Sequence, residues 1–130
     1  MTVVKGYFDE FHFSECKIEK FEIIERDLIV DIQSNLAVYP PHPLTEIHKF
    51  SDPCKVIFKT MKHLRRGFCK YDEKSKQYKK EQKLIAEFNQ ESDSNRQYKD
   101  YGIEGFLLNP LGWLDFEIIA EEFYFDDLRT

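Results

Sequence analysis

Glycine and proline are scarce in this chain, five of each in 130 residues. With so few glycines there is no phosphate-cradling loop of either familiar kind, and no Gly-x-Ser-x-Gly elbow for a serine nucleophile. A nucleotide-binding enzyme is therefore not indicated. Cysteine is also sparse: Cys16, Cys54 and Cys69 are odd in number and widely spaced. That excludes a disulfide framework and points to a reducing compartment. There is no Cys-x-x-Cys, no His-Glu-x-x-His and no acidic calcium loop. Long apolar runs are missing too. No segment has the length to cross a bilayer, and the N-terminus does not read as a signal peptide. The expectation is a soluble cytoplasmic protein of one domain, residues 1–130, with no metal, no cofactor and no membrane partner.

Aromatics are plentiful, with twelve Phe and seven Tyr. They argue for a packed core despite the many charges. The net charge of −5 conceals a segregation. Residues 1–54 sum to −5, residues 55–83 to +8 and residues 84–130 to −8. A dedicated nucleic-acid binder is usually basic overall. Acidic ends suit a protein that presents a negative face to a basic partner.

The strongest local pattern is Trp113-Leu-Asp-Phe-Glu-Ile-Ile-Ala-Glu-Glu-Phe-Tyr-Phe125. Leu114, Phe116, Ile118 and Ala120 alternate with Trp113, Asp115, Glu117 and Ile119, as on a half-buried strand. Asp115 and Glu117 then share a face, a row of carboxylates that repels itself unless something answers it. Phe123 and Phe125 shift the apolar phase, which predicts a β-bulge near Glu121-Glu122. Tyr101 to Leu108 is a second strand. Asn109-Pro-Leu-Gly112 between them fits a type I turn, so a hairpin spans 101–125.

Elsewhere, Ile18–Ile24 and Leu28–Gln33 form a hairpin across Glu25-Arg26-Asp27. Tyr39-Pro-Pro-His-Pro43 is an extended loop, and Thr45–Phe50 is a short turn or helix. Cys54 to Lys59 alternates as a strand, and Leu64–Tyr71 is expected to pair back on it, with Arg65-Arg66-Gly67 as an interruption of the ladder. Leu84–Phe88 fits strand or helix equally: alternation favours one, the Lys/Glu/Gln-rich residues before it the other. Glu91–Asn95 is a loop. The fold class is mainly β, with α+β open: an antiparallel sheet curled into a sandwich or half-barrel, with room for one helix near 74–90.

Several chemistries can be weighed. Asp115 and Glu117 have a separation compatible with a glycosidase pair, but neighbours on one strand cannot flank a cleft; a solvated strand face is the simpler reading. His12 and Cys16, four apart, would share one helical face, yet the spacings among His12, His42, His48, His63 and the cysteines match no common zinc site. Cys54 is in phase with Val56 and Phe58, as a small buried hydrophobe. Lysines and arginines of 55–83 interleave with Phe58, Phe68, Tyr71 and Tyr78, a pattern that can track phosphates and stack bases. Acidic flanks on both sides would repel the same phosphates.

The opening Phe8-Asp-Glu-Phe-His12, with Ile18, Phe21, Ile23 and Leu28-Ile-Val-Asp-Ile32, resembles the start of small β-rich immunity proteins of bacterial polymorphic toxin systems. The closing Ile103-Glu-Gly-Phe-Leu-Leu108, then Trp113, Phe116, Ile118 and Phe123, is similar to their final hairpin. Phe13-Ser14 stands where those proteins often have an acidic residue after the His. The resemblance implies a non-enzymatic protein that binds and blocks one cognate toxin. On this reading the acidic terminal strand meets a basic toxin surface. The partner-binding residues are then Trp113, Asp115, Glu117, Glu121, Glu122 and Tyr124, with no catalytic residue. The alternatives are a small nucleic-acid-binding module using 55–83, and a hydrolase built on Asp115, Glu117 and His12.

Overall fold

The computed structural model describes residues 2–13, 15–39, 50–51, 53–88 and 97–127. Its strands are β1 (Thr2–Lys5), β2 (Phe11–His12), β3 (Lys17–Ile24), β4 (Asp27–Ser34), β5 (Leu36–Val38), β6 (Phe50–Ser51), β7 (Cys54–Asp72), β8 (Gln77–Glu87), β9 (Lys99–Leu108) and β10 (Leu111–Asp127). One 3-10 turn, Phe8–Glu10, is the sole helical element among the described residues. Seven strands form the main sheet in the order β1-β10-β9-β3-β4-β7-β8, and β2-β5-β6 form a small second sheet. All pairings are antiparallel except β3 with β9. β10 pairs with β7 as well as with β9, which curls the sheet. It does not close into a barrel, because β3 meets β9 at only two positions, Lys17–Phe106 and Ile18–Leu107.

The two expected hairpins form. β3 and β4 pair across Glu25-Arg26, and β9 and β10 pair from Leu108–Leu111 to Lys99–Ala120. The second turn differs from the type I turn expected. Asn109 and Pro110 are its two central residues, and the bond between them is cis. Proline therefore sits one position later in the turn than anticipated. The burial alternation of β10 matches the sequence, with Leu114, Phe116, Ile118 and Ala120 buried, then Phe123 and Phe125. The register against β7 shifts between Ile119 and Ala120, just before the expected bulge.

Three expectations are corrected. Leu64–Tyr71 does not fold back on Cys54–Lys59; both lie in the single 19-residue strand β7. The chain bends there instead of reversing. Thr60 takes a left-handed φ of 57°. Its N–H donates to Asp27 Oδ1 at 3.0 Å, and the Met61 N–H donates to the Arg26 carbonyl at 2.7 Å. The first half of β7 pairs with β4, the second with β8, and β10 runs beside both. The second correction concerns the helix considered near 74–90. Residues 77–87 are strand β8, paired with β7 from Asp72–Gln77 to His63–Glu87. Pairing supplies partners for backbone groups that a helix of so polar a segment would have left without a packed face. The third is one of detail: the sheet is mainly antiparallel and curled as expected, with one short parallel contact, between β3 and β9, among the described residues. Most of the expected Tyr39–Pro43 loop, most of Thr45–Phe50 and the Glu91–Asn95 loop lie outside the described residues.

The core fills the concave side of the sheet. Phe58, Phe123, Phe125, Leu64, Leu114 and Ile118 are almost fully buried. Phe8 of the 3-10 turn meets Phe123 at 5.1 Å, Tyr101 at 4.8 Å and Phe58 at 6.2 Å between ring centroids. These edge-on contacts suit the ring quadrupoles. They pin the N-terminal segment to three strands at once.

Candidate functional site

The convex face of β9, β10, β7 and β8 is read most simply as cross-strand rows. Phe106, Trp113, Cys69 and Lys80 stand side by side, followed by Glu104, Asp115, Gly67 and Gln82. Next come Gly102, Glu117, Arg65 and Leu84, and then Asp100, Ile119, His63 and Glu87. Strand alternation puts all of these on the face opposite the core. Pairing therefore extends the Asp115–Glu117 row into a patch that also holds Glu104 and Asp100, contributed by β9.

Carboxylates set directly opposite each other, as Glu104 and Asp115 are, weaken a sheet. Among the described residues, neither makes an ion pair, and neither does Asp100. Glu117 is better answered. Arg65 is its cross-strand neighbour on β7, and His63 Nε2 lies 3.8 Å from its Oε1. Asp115 is half-buried because it leans over Gly67. A Cβ built on Gly67 would fall 2.5 Å from Asp115 Oδ1. Glycine at this position thus makes room for the carboxylate to lie against the sheet. Beside the acids, Trp113 meets Phe106 edge-on at 4.8 Å. Phe106 and Leu111 are large apolar side chains left exposed, at 37% and 43%.

The other three residues expected at the site lie beyond the register shift. Glu122 pairs with Lys5 Nζ at 3.0 Å and accepts a short hydrogen bond from the Tyr124 hydroxyl. That hydroxyl, and then Lys5, hold the Glu122 carboxyl below its ordinary range; the same contacts raise Tyr124 and Lys5. Lys59 Nζ lies 5.9 Å from the centre of the Tyr124 ring. Trp113, Asp115 and Glu117 are therefore brought together, whereas Glu122 and Tyr124 are engaged with β1 and β7 at the far end of β10. Glu121 stands next to them, half-buried.

Glu104, Asp100 and Phe106 were absent from the sequence-based set. Their signal was present in the alternation of β9, but only the register shows which acids of β9 face which acids of β10. Gly67 was likewise read as an interruption of a ladder rather than as the seat of Asp115.

A cavity of about 480 Å³ touches the same hairpin, lined by residues of both its faces. It brings His12 and Asp115 to a common wall, together with Asp9, Glu104 and three phenylalanines of residues 8–13. Glu117 does not line it. The Asp115 carboxylate leans across the sheet toward Gly67, and the His12 ring rests edge-on to Tyr39 at 4.7 Å. His12 and Asp115 thus share a cavity without being posed as an acid–base pair. Among the described residues no cluster of three or more His, Cys, Asp or Glu side chains is arranged to hold a metal ion. Nor is any helix among the described residues long and apolar enough to cross a membrane.

The basic segment lies on β7 and β8. Lys79, Lys80 and Lys83 line β8, the edge strand. Lysines on an edge strand oppose unwanted pairing with other chains. Arg66 is drawn into an intramolecular ion pair with Glu81 at 3.3 Å. No protein family, curated protein or solved structure matches this chain.

Proposed function

We propose that this chain is a non-enzymatic binding protein, an immunity protein that neutralises a cognate bacterial toxin domain in the cytoplasm by covering a basic surface on it. The observation that supports this reading is the convex patch of Glu104, Asp115 and Glu117 beside the Phe106–Trp113 pair. Unpaired carboxylates speed encounter with a basic surface and select against acidic ones. Aromatic anchors next to them supply contact area at low entropic cost. The patch lies on strands whose backbone is already paired before binding, which limits the ordering cost.

The test is co-expression with the product of the neighbouring upstream gene, scoring growth rescue and co-purification. Asp115→Lys with Glu117→Lys should slow association and weaken the complex. Where the carboxylates become buried against the toxin, the loss should be about 2–5 kcal/mol; where they stay at the rim, mainly the on-rate and its salt dependence should change. Lys74→Glu with Lys76→Glu, in the β7–β8 turn, should leave toxin binding nearly intact. A crippled turn variant with an unaffected strand variant would move the interface to the basic segment. Salt-dependent retention of nucleic acid lost in the same turn variant would favour the nucleic-acid module instead.

A further inference from the structure

Among the described residues, strand β9 is paired along its whole length on only one edge. β10 pairs with it over its whole length, from Lys99 to Leu108. On the other side β3 meets it only at Phe106 and Leu107. There the Phe106 N–H donates to the Cys16 carbonyl at 2.9 Å. Successive backbone groups of a strand point to opposite edges. The N–H and C=O of Glu104, Gly102 and Asp100 therefore face the same way as those of Phe106. Among the described residues no strand pairs with them on that side. The Cys16 thiol reaches the Glu104 carbonyl at 3.8 Å, a weak contact.

The cavity of about 480 Å³ opens beside this edge, with Gly102 and Glu104 in its wall. Among the described residues, Phe8, Phe11, Phe13, Ile103 and Phe116 form its apolar lining, no Lys or Arg takes part, and the charged residues are all acidic. The other two edges of the main sheet are less receptive: β8 is lined by lysines, and β1 has only four residues.

We propose that the free edge of β9 from Asp100 to Glu104 is a docking site for an extended segment of a partner protein. The segment adds to the sheet as a strand, places an apolar side chain in the phenylalanine-lined cavity, and turns Lys or Arg toward Asp9, Asp100 and Glu104. Main-chain pairing supplies affinity in such strand addition, and alternate side chains supply specificity. A second copy of this chain is disfavoured as the occupant, because pairing β9 with itself sets carboxylates against carboxylates. The inference does not depend on the partner's being a toxin, although it shares Asp100 and Glu104 with the convex patch.

The experiment uses the full isotope-labelled chain and a synthetic peptide of about nine residues, alternating Val or Phe with Lys or Arg. In the free protein the Gly102 and Glu104 amides should exchange rapidly with solvent, while those of Ile103 and Gly105, which face β10, are protected. With peptide, Gly102 and Glu104 should shift and become protected. Asp100→Lys with Glu104→Lys should weaken binding at least tenfold; Asp9→Lys, on the exposed 3-10 turn, gives the same reading if the double variant does not fold. Protection of Gly102 and Glu104 before peptide is added would overturn the proposal. So would shifts confined to β8 or β1, equal binding of a Glu-substituted peptide, or no shift at about 1 mM peptide.

Discussion

Cys16, Cys54 and Cys69 carry the same thiol in three settings. Cys16 and Cys54 are buried and Cys69 is half-buried on the convex face. Burial, followed by the neighbouring Cys54, pushes the Cys16 thiol up from 9.0 to about 12. A group whose proton is held more tightly in the folded state contributes stability that is complete below its unfolded pKa and is lost as pH rises through the folded one. The window here is pH 9 to 12. Denaturant midpoints should therefore fall between about pH 8 and pH 10.5, and Cys16→Ala should flatten that fall. A thiol reagent at about pH 8 should modify Cys69 first, and Cys16 and Cys54 only on unfolding. Rapid modification of Cys16 in the native protein would contradict its burial. Gly67 is a second residue whose role lies in its surroundings. Its missing Cβ is what lets Asp115 lie flat.

At the level of elements, the bend in β7 decides the architecture. A β-branched residue in the left-handed region is costly, and Thr60 is held there by Asp27 and Arg26 from the β3–β4 turn. Asp27→Ala removes the acceptor for the Thr60 N–H and should cost about 1–3 kcal/mol. Thr60→Gly relieves the strained conformation, worth about 1–2 kcal/mol, against the greater freedom glycine has when unfolded. The glycine variant should accordingly be neutral or more stable in urea unfolding, and the alanine variant clearly less so. Equal losses in both would show that the bend is not maintained by this hydrogen bond. The same bend accounts for the failed expectation that Leu64–Tyr71 pairs back on Cys54–Lys59. Arg65-Arg66-Gly67 does not interrupt the ladder, because β10 and β8 pair with it on both sides.

Across the whole molecule, Phe8 connects the N-terminal segment to β7, β9 and β10 through Phe58, Tyr101 and Phe123. Phe8→Ala should destabilise the fold by about 2–4 kcal/mol. This is about 1 kcal/mol below the range for a fully buried phenylalanine, because the ring is half-buried. The measurement is chemical unfolding, followed by the exchange of β1 amides, which should lose protection before those of β4. An unchanged midpoint would mean that the N-terminal segment is not part of the cooperative unit. Charge is segregated on the same scale. The acidic residues of β9 and β10 share one end of the convex sheet, and the lysines of β8 its margin.

Alternation along the chain was sufficient to determine that β3, β4, β9 and β10 are strands, which residues of β10 are buried, and that Asp115 and Glu117 share the face away from the core. These are properties of neighbours two apart, and a strand's pleat settles them locally. The strand character of Leu84–Phe88, the continuity of β7 and the pairing of β1 with β10 depended on partners far away in sequence. So did the site: Glu104 opposite Asp115, Gly67 beneath it and Phe106 beside Trp113 follow from register. In the β9–β10 hairpin the register is set by the turn at Asn109-Pro110, placed one residue earlier than expected, whereas the register against β7 joins segments far apart in sequence and no local pattern carries it.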